Sequence, residues 1–248
     1  MKIKMNKSKL YPVLAILAFV ILAIIVGALL SNNTTNEELT AETAKEKFTY
    51  TVLGESIIID SYIGEDTDVV VPAKIDGVVV NSIGPNAFAN KDIVSVLLPD
   101  TITAINVSAF SNCTKLKDIN LPDSLEFLAA YSFYKCESLE EINIPNKIVV
   151  VCISTFEDCT NLKKVKFGEE LTEIGERAFK NTSVENIVLP DKLSIIRYYA
   201  FDGCENLTKV KIPNSLISVA DNSFIYKNIS FNIDDNQKVE EFINNLKK

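Results

Sequence analysis

Apolar positions recur along this chain at two scales. From Leu10 to Leu30 they are continuous, LYPVLAILAFVILAIIVGALL, without one charged residue. As a helix rising 1.5 Å per residue, this stretch would span about 31 Å, the thickness of a bilayer's hydrocarbon core, so it predicts a transmembrane helix at residues 10–30. Lys2, Lys4, Lys7 and Lys9 precede it and the acidic SNNTTNEELTAETAKEKF follows. That asymmetry predicts a cytoplasmic tail at residues 1–9 and puts residues 31–248 outside the cell membrane. The segment reads as a single-pass signal anchor; the alternative is a signal peptide whose cleavage secretes the protein, since Gly27 and Ala28 are small. Residues 31–47 are polar and acidic with no apolar period, and read as a flexible linker.

Beyond the linker the apolar pattern becomes periodic. Phe88, Phe110, Phe133, Phe156, Phe179, Phe201 and Phe224 follow one another at intervals of 22 or 23 residues, each preceded by Ala, Ser or Thr. In the same phase come alternating pairs: Val96/Leu98, Ile119/Leu121, Ile142/Ile144, Val165/Phe167, Ile187/Leu189 and Val210/Ile212. Each is a short strand with one buried face, ended by Pro99, Pro122, Pro145, Gly168, Pro190 or Pro213. A second apolar pair, three apart, follows every strand, from Ile102/Ile105 to Leu216/Val219. A unit of this length cannot bury its own apolar face and must stack on its neighbours. The predicted fold is therefore a β-rich solenoid of about seven coils over residues 83–234, with short parallel strands and helical turns. Residues 48–82 form an atypical first unit and N-terminal cap, with Asp76-Gly77 as a hairpin turn. Val239, Phe242, Ile243 and Leu246 lie at i, i+3, i+4 and i+7, which predicts a capping helix at residues 235–248.

Composition narrows the chemistry. The chain has no His, which removes imidazole bases, Ser/His/Asp and Cys/His nucleophiles and His metal sites. No two of its eight glycines lie within six residues of each other, so neither GxGxxG nor a Walker loop exists. The first 30 residues hold four of the 25 basic and none of the 33 acidic residues, leaving the remainder at −12. Such a body repels phosphates, and no nucleic acid partner is expected.

Cys113, Cys136, Cys159 and Cys204 each follow a repeat Phe by three residues. A zinc tetrahedron needs converging sulfurs, whereas these lie in a line at about 4.8 Å per coil, so buried free thiols are expected and no metal or cofactor. The acidic doublets Glu140-Glu141, Glu169-Glu170 and Glu240-Glu241 point their members to opposite sides and read as solvated surface, not a catalytic pair. Tyr131 and Tyr199, two residues before a repeat Phe, are candidate sugar-stacking surfaces; the plainer reading is half-buried rings with wet hydroxyls.

The pattern Ile-Gly-x-x-Ala-Phe-x-x-Cys-x-x-Leu-x-x-Ile-x-Leu-Pro, fullest from Ile105 to Pro122 and in Ile174 to Phe179, resembles the BspA-like leucine-rich repeats of microbial surface proteins. The resemblance runs over about residues 48–234. It implies a leucine-rich-repeat solenoid without enzymatic activity that adheres to or binds a partner.

Strand alternation then indicates where a partner would bind. The residues facing out are Asp118 and Asn120, Glu141 and Asn143, Lys164 and Lys166, Asn186 and Val188, Lys209 and Lys211. Charge changes sign midway, and the basic strip of Lys164, Lys166, Lys209 and Lys211 suits an acidic glycan or protein patch. The candidate binding residues are these four with Glu141 and Asn143. The expected function is membrane-anchored, surface-exposed binding of a protein or glycan; the alternative is a structural spacer or self-assembling scaffold of the envelope.

Overall fold

A computed structural model describes residues 38–220, 222–224 and 229–233. The stretch at 10–30, the tail before it and the expected capping helix at 235–248 lie outside the described residues. Among the described residues, no helix is long and apolar enough to cross a membrane.

Each coil contributes two short strands, and stacking the coils produces two parallel ladders. The first ladder runs through β4 (Asp68–Val70), β7 (Ser95–Leu97), β9 (Asp118–Ile119), β11 (Glu141–Asn143), β13 (Lys164–Lys166), β15 (Asn186–Val188), β17 (Lys209–Ile212) and β19 (Ser230–Ile233). Its hydrogen-bonded groups are β4-β7-β9, β11-β13 and β15-β17-β19. The second ladder runs through β6 (Val78–Ile83), β8 (Ala104–Ile105), β10 (Phe127–Leu128), β12 (Val150–Val151), β14 (Glu173–Ile174), β16 (Ile195–Ile196) and β18 (Ser218–Val219), and its pairing is interrupted between β10 and β12. Both sets of aliphatic pairs point into one continuous core, with Ile119, Leu121, Val165 and Val219 only partly covered.

Between the ladders the repeat Phe rings form a stack. Successive centroids from Phe88 to Phe224 lie 4.8, 5.2, 5.4, 5.3, 5.4 and 5.1 Å apart, with planes within 19° of parallel. The offset-stacked geometry suits the ring quadrupole, and coil spacing imposes it. Tyr62 extends the stack below Phe88 at 5.4 Å, and Phe231 closes on Phe224 edge-on at 5.6 Å.

The expected helical turns are absent from the described repeats. Instead the residues two before and two after each Phe from Phe88 to Phe201, and Asn222 before Phe224, adopt positive φ, between 52° and 74°. A left-handed residue every four positions stops a helix from propagating. Around Phe110, for example, Ser108, Phe110 and Asn112 donate their N–H groups to Ala130, Ser132 and Tyr134 of the next coil, while Ala109, Ser111 and Cys113 donate back three residues. Alternate amides are thus spent within and between coils. The position after Phe is filled by Asn90, Asn112, Lys135, Asp158, Asn181 and Gly203, mostly types that tolerate this conformation.

Residues 38–47 are not a linker. β1 (Glu38–Leu39) pairs in parallel with β5 (Lys74–Ile75), and α1 (Ala41–Lys47) packs on the first unit. Three local features order this stretch: the Thr40 hydroxyl caps α1 by accepting from the Thr43 N–H, Ala44 is fully buried, and the Ala41 N–H donates to Asp76 Oδ1 at 2.9 Å. Asp76 and Gly77 form the expected two-residue hairpin, both at positive φ (47° and 77°), joining β5 to β6 in antiparallel pairing. The cap is completed by β2 (Phe48–Leu53) and β3 (Ser56–Tyr62), an antiparallel pair whose β3 runs parallel to β6. The first unit therefore starts ten residues before position 48, while residues 31–37 lie outside the described residues.

Candidate interaction surface

The Cys row is core. Cys113, Cys136, Cys159 and Cys204 are buried, and each thiol donates to the carbonyl of a repeat Phe on the preceding coil, Phe88, Phe110, Phe133 and Phe179, at 3.0–3.2 Å. In the shorter coil Thr182 takes the place of Cys, its buried hydroxyl donating to Phe179 O at 2.9 Å. Burial pushes the Cys113 thiol from 9.0 up to about 12 and Cys204 to about 11, and raises Cys136 and Cys159 as well. The thiolate at Cys113 is therefore about 10³-fold scarcer than in an ordinary thiol near neutral pH. A thiol reagent at pH 7.5 should modify half-buried Cys152 in the native protein and the other four only after denaturation. Modification of native Cys136 as fast as Cys152 would contradict this placement. Among the described residues, no group of three or more acidic or sulfur ligands is placed to hold a metal ion.

Tyr131 and Tyr199 stand at the left-handed position before Phe, with φ of 60°. Since every coil adopts this conformation there, the fold imposes it and it marks no site. Tyr131 packs edge-on against Tyr134 at 6.0 Å, and Tyr199 lies under Arg177 and Lys180 of the preceding coil, at 5.5 and 5.4 Å from its centroid. The Tyr199 face is already occupied by cations.

The six candidate residues all reach the outer side of the first ladder. Glu141 is in register with Lys164, and Asn143 with Lys166, on neighbouring strands; Asn186 and Val188 of β15 separate them from Lys209 and Lys211. All of these side chains are exposed, Lys164 by 81% and Val188 by 66%. Asn120 is exposed too, but its amide is committed: Oδ1 accepts from Leu98 N–H at 2.7 Å and Nδ2 donates to Leu98 O at 2.8 Å. It replaces ladder bonds just before Pro99.

The structure adds one strand, β4, that the Phe period did not reach. Asp68 pairs in register with Ser95 and Ser95 with Asp118, while Val70 pairs with Leu97, which carries the outer face two coils farther toward the N-terminus. The signal was present, since Val69-x-Val71-Pro72 repeats the form of Val96-x-Leu98-Pro99. Read along the ladder, the first position of each strand is Asp68, Ser95, Asp118, Glu141, Lys164, Asn186, Lys209 and Ser230. Acid gives way to base at the boundary of β11 and β13.

Charge on the rest of the repeats is arranged differently. Lys115–Asp92, Lys147–Glu126, Lys180–Asp202, Lys192–Glu170 and Arg197–Glu173 each place a base against an acid of the adjacent coil at 2.6–2.8 Å. On the outer face Lys164 and Glu141 stand at 3.8 Å, and among the described residues Lys166 and Lys209 meet no carboxylate at ion-pair distance. Acids and lysines here occupy opposite halves of the face and meet at Glu141 and Lys164.

Model sequences of the "BspA type Leucine rich repeat region" match residues 81–198 and 172–246, about two thirds of the chain, in six copies. The chain belongs to the BspA-type leucine-rich repeat family. Among solved members of this fold, a leucine-rich repeat protein of T. pallidum is 26% identical over 86% of this chain and 97% of its own, with a TM-score of 0.53. The pneumococcal vaccine antigen PcpA is 19% identical over 76% of this chain and 63% of its own, with a TM-score of 0.56, a likeness of fold alone. A leucine-rich cell surface protein of Faecalibacterium prausnitzii is 22% identical over 76% of this chain and 74% of its own, at a TM-score of 0.47. No curated protein matches the sequence. In this BspA-type chain the repeat-defining residues are consumed by the core, so the residues that the repeat leaves free to vary are the exposed ones between them.

Proposed function

We propose that this protein is a non-catalytic interaction module, held at the outer surface of its cell by residues 10–30, that engages a macromolecular or glycan partner through the outer face of the first ladder. The observation that carries this reading is the segregated charge on that face. Elsewhere five ion pairs set a base against an acid of the adjacent coil; here acids hold one half of the face and lysines the other, meeting at Glu141 and Lys164 3.8 Å apart, on a body whose average charge is negative. Exposed like charges held side by side on a rigid ladder favour a partner of opposite sign. Membership of a family of microbial surface proteins and the lysine-flanked apolar stretch support the location and orientation.

Two measurements test it. Protease added to intact cells or protoplasts should digest the repeats, whereas protection until lysis would reverse the orientation. A glycan and matrix-protein array should yield capture that weakens steeply between 0.05 and 0.5 M salt, since exposed charges are screened beyond about 10 Å at 0.1 M. Reversing Lys164, Lys166, Lys209 and Lys211 to Glu should abolish that capture. A folded quadruple variant that captures the same partner unchanged would move the site elsewhere.

A further inference from the structure

We propose that the outer face of the first ladder docks on the same face of a second copy of this chain, with the order of the coils reversed. This rests on the interaction reading above and names the partner. The face is bipolar: Asp68, Asp118 and Glu141 stand on β4, β9 and β11, and the lysines stand on β13 and β17. A uniformly acidic polymer lying along the coils would satisfy the lysines and then meet three carboxylates; a basic one would fail at the other end. A partner that neutralises both halves must carry base opposite the acids and acid opposite the bases, in reversed order, and this chain is such a partner.

A two-fold axis parallel to the strands, passing between β11 and β13, performs that reversal. It sets β11 against β13, β9 against β15, β7 against β17 and β4 against β19. Glu141 of one copy then faces Lys164 of the other at the axis. Lys209 faces β7, whose flanking strands carry Asp68 and Asp118 about 4.8 Å to either side, within the swing of a lysine stem. Strand direction is preserved by this axis, so the exposed Leu97 meets the position of Lys211 and its methylene stem, while Val188 meets Asn120, whose polar atoms are already bonded to Leu98. The interface is isologous, each contact occurring twice. Eight strands about 4.8 Å apart and three residues wide give a face of roughly 400 Å² per copy, the scale of a weak, transient, salt-sensitive encounter.

The test uses the full chain in density-matched detergent. Sedimentation from 0.01 to 1 mM should show the weight-average protein mass rising toward twofold at 50 mM salt and returning to monomer at 0.5 M. Zero-length carbodiimide coupling should join Asp118 or Asp68 to Lys209 as an amide, with loss of water. Four ladder steps, about 19 Å, separate Asp118 from Lys209 within one chain, so that product must be intermolecular. Lys164→Glu/Lys166→Glu/Lys209→Glu/Lys211→Glu should be monomeric, as should Asp68→Lys/Asp118→Lys/Glu141→Lys. An equimolar mixture of the two should regain the doubled mass, and this complementation keeps the proposal falsifiable if one variant folds poorly. Association that survives both sets of reversals or 0.5 M salt, or that is lost on changing Phe127, Val149 and Val150 of the second ladder, would overturn it. So would a protein that stays monomeric at 1 mM. If that monomer still captures an acidic glycan or protein through the lysines, the interaction reading stands and only the self-docking falls.

Discussion

Phe156→Ala is expected to destabilise the protein by about 3–5 kcal/mol, a large share of the total stability of an ordinary domain. Phe156 is fully buried and lies between Phe133 at 5.4 Å and Phe179 at 5.3 Å. The cost sits at the upper end because the site cannot collapse: the Phe156 N–H donates to Ala178 O at 2.8 Å, and its carbonyl accepts from Cys159 N–H at 3.2 Å. With the backbone pinned on both sides, truncation leaves a cavity and two rings without a neighbour. Because each coil touches only the next, the lost contact also weakens communication along the stack. Urea unfolding measures both effects: the midpoint should fall, and a reduced m-value would report that the two halves now unfold separately. Phe224→Ala, at the end of the described stack, should cost less than Phe156→Ala. A loss below about 1 kcal/mol at Phe156 would mean that the ladders, not the ring stack, hold the coils together.

Legibility of the fold followed the strictness of its period. The seven Phe positions and the aliphatic pairs could be placed because each coil must present the same side chains at the same phase or lose its neighbour. Tyr62 occupies the same stack but precedes Phe88 by 26 residues, since the chain between them carries the β5–β6 hairpin, and no fixed interval pointed to it. Local geometry was less visible. Left-handed residues at Tyr131, Arg177 and Tyr199 contradict the preferences of those side chains, and at Tyr131 and Arg177 N–H bonds to Ile153 O and Tyr198 O of the next coil hold them there. Residues 38–47 misled in the opposite sense: their composition is that of a linker, and one buried Ala, one cap and one distant Asp suffice to order them.

The candidate surface was legible in its outline because alternation along a strand needs no tertiary knowledge. Its contrast with the rest of the molecule was not. Lys147 and Glu126, or Lys192 and Glu170, are 21 and 22 residues apart, and only the stacking of coils turns that separation into ion pairs at 2.7 and 2.6 Å. The lysines on β13 and β17 form one pole of the face, and Asp68 on β4 extends the acidic pole that Asp118 and Glu141 form on β9 and β11.

Raising the pH from 9 to 11 is expected to lower the folding stability. Burial disfavours the thiolate, so the folded state holds each proton of Cys113, Cys136, Cys159 and Cys204 more tightly than the unfolded chain does. Ionisation therefore pulls toward unfolding. The contribution of each thiol is fully present below its unfolded value of 9.0 and declines as pH rises, until the folded value is passed at about 11 for Cys204 and about 12 for Cys113. Each such thiol makes stability fall with pH in that window, and the four act in the same direction. Tyr62, raised by burial and by Asp66, acts in the same direction. Urea midpoints measured at intervals from pH 7 to 11 should be flat to about 9 and then fall steeply. Cys136→Ala should cost about 1–2 kcal/mol at neutral pH as a small cavity, and should flatten the alkaline slope. Midpoints that stay level to pH 10.5 in the parent would mean that the thiols ionise without leaving the core, which their buried, carbonyl-directed positions argue against.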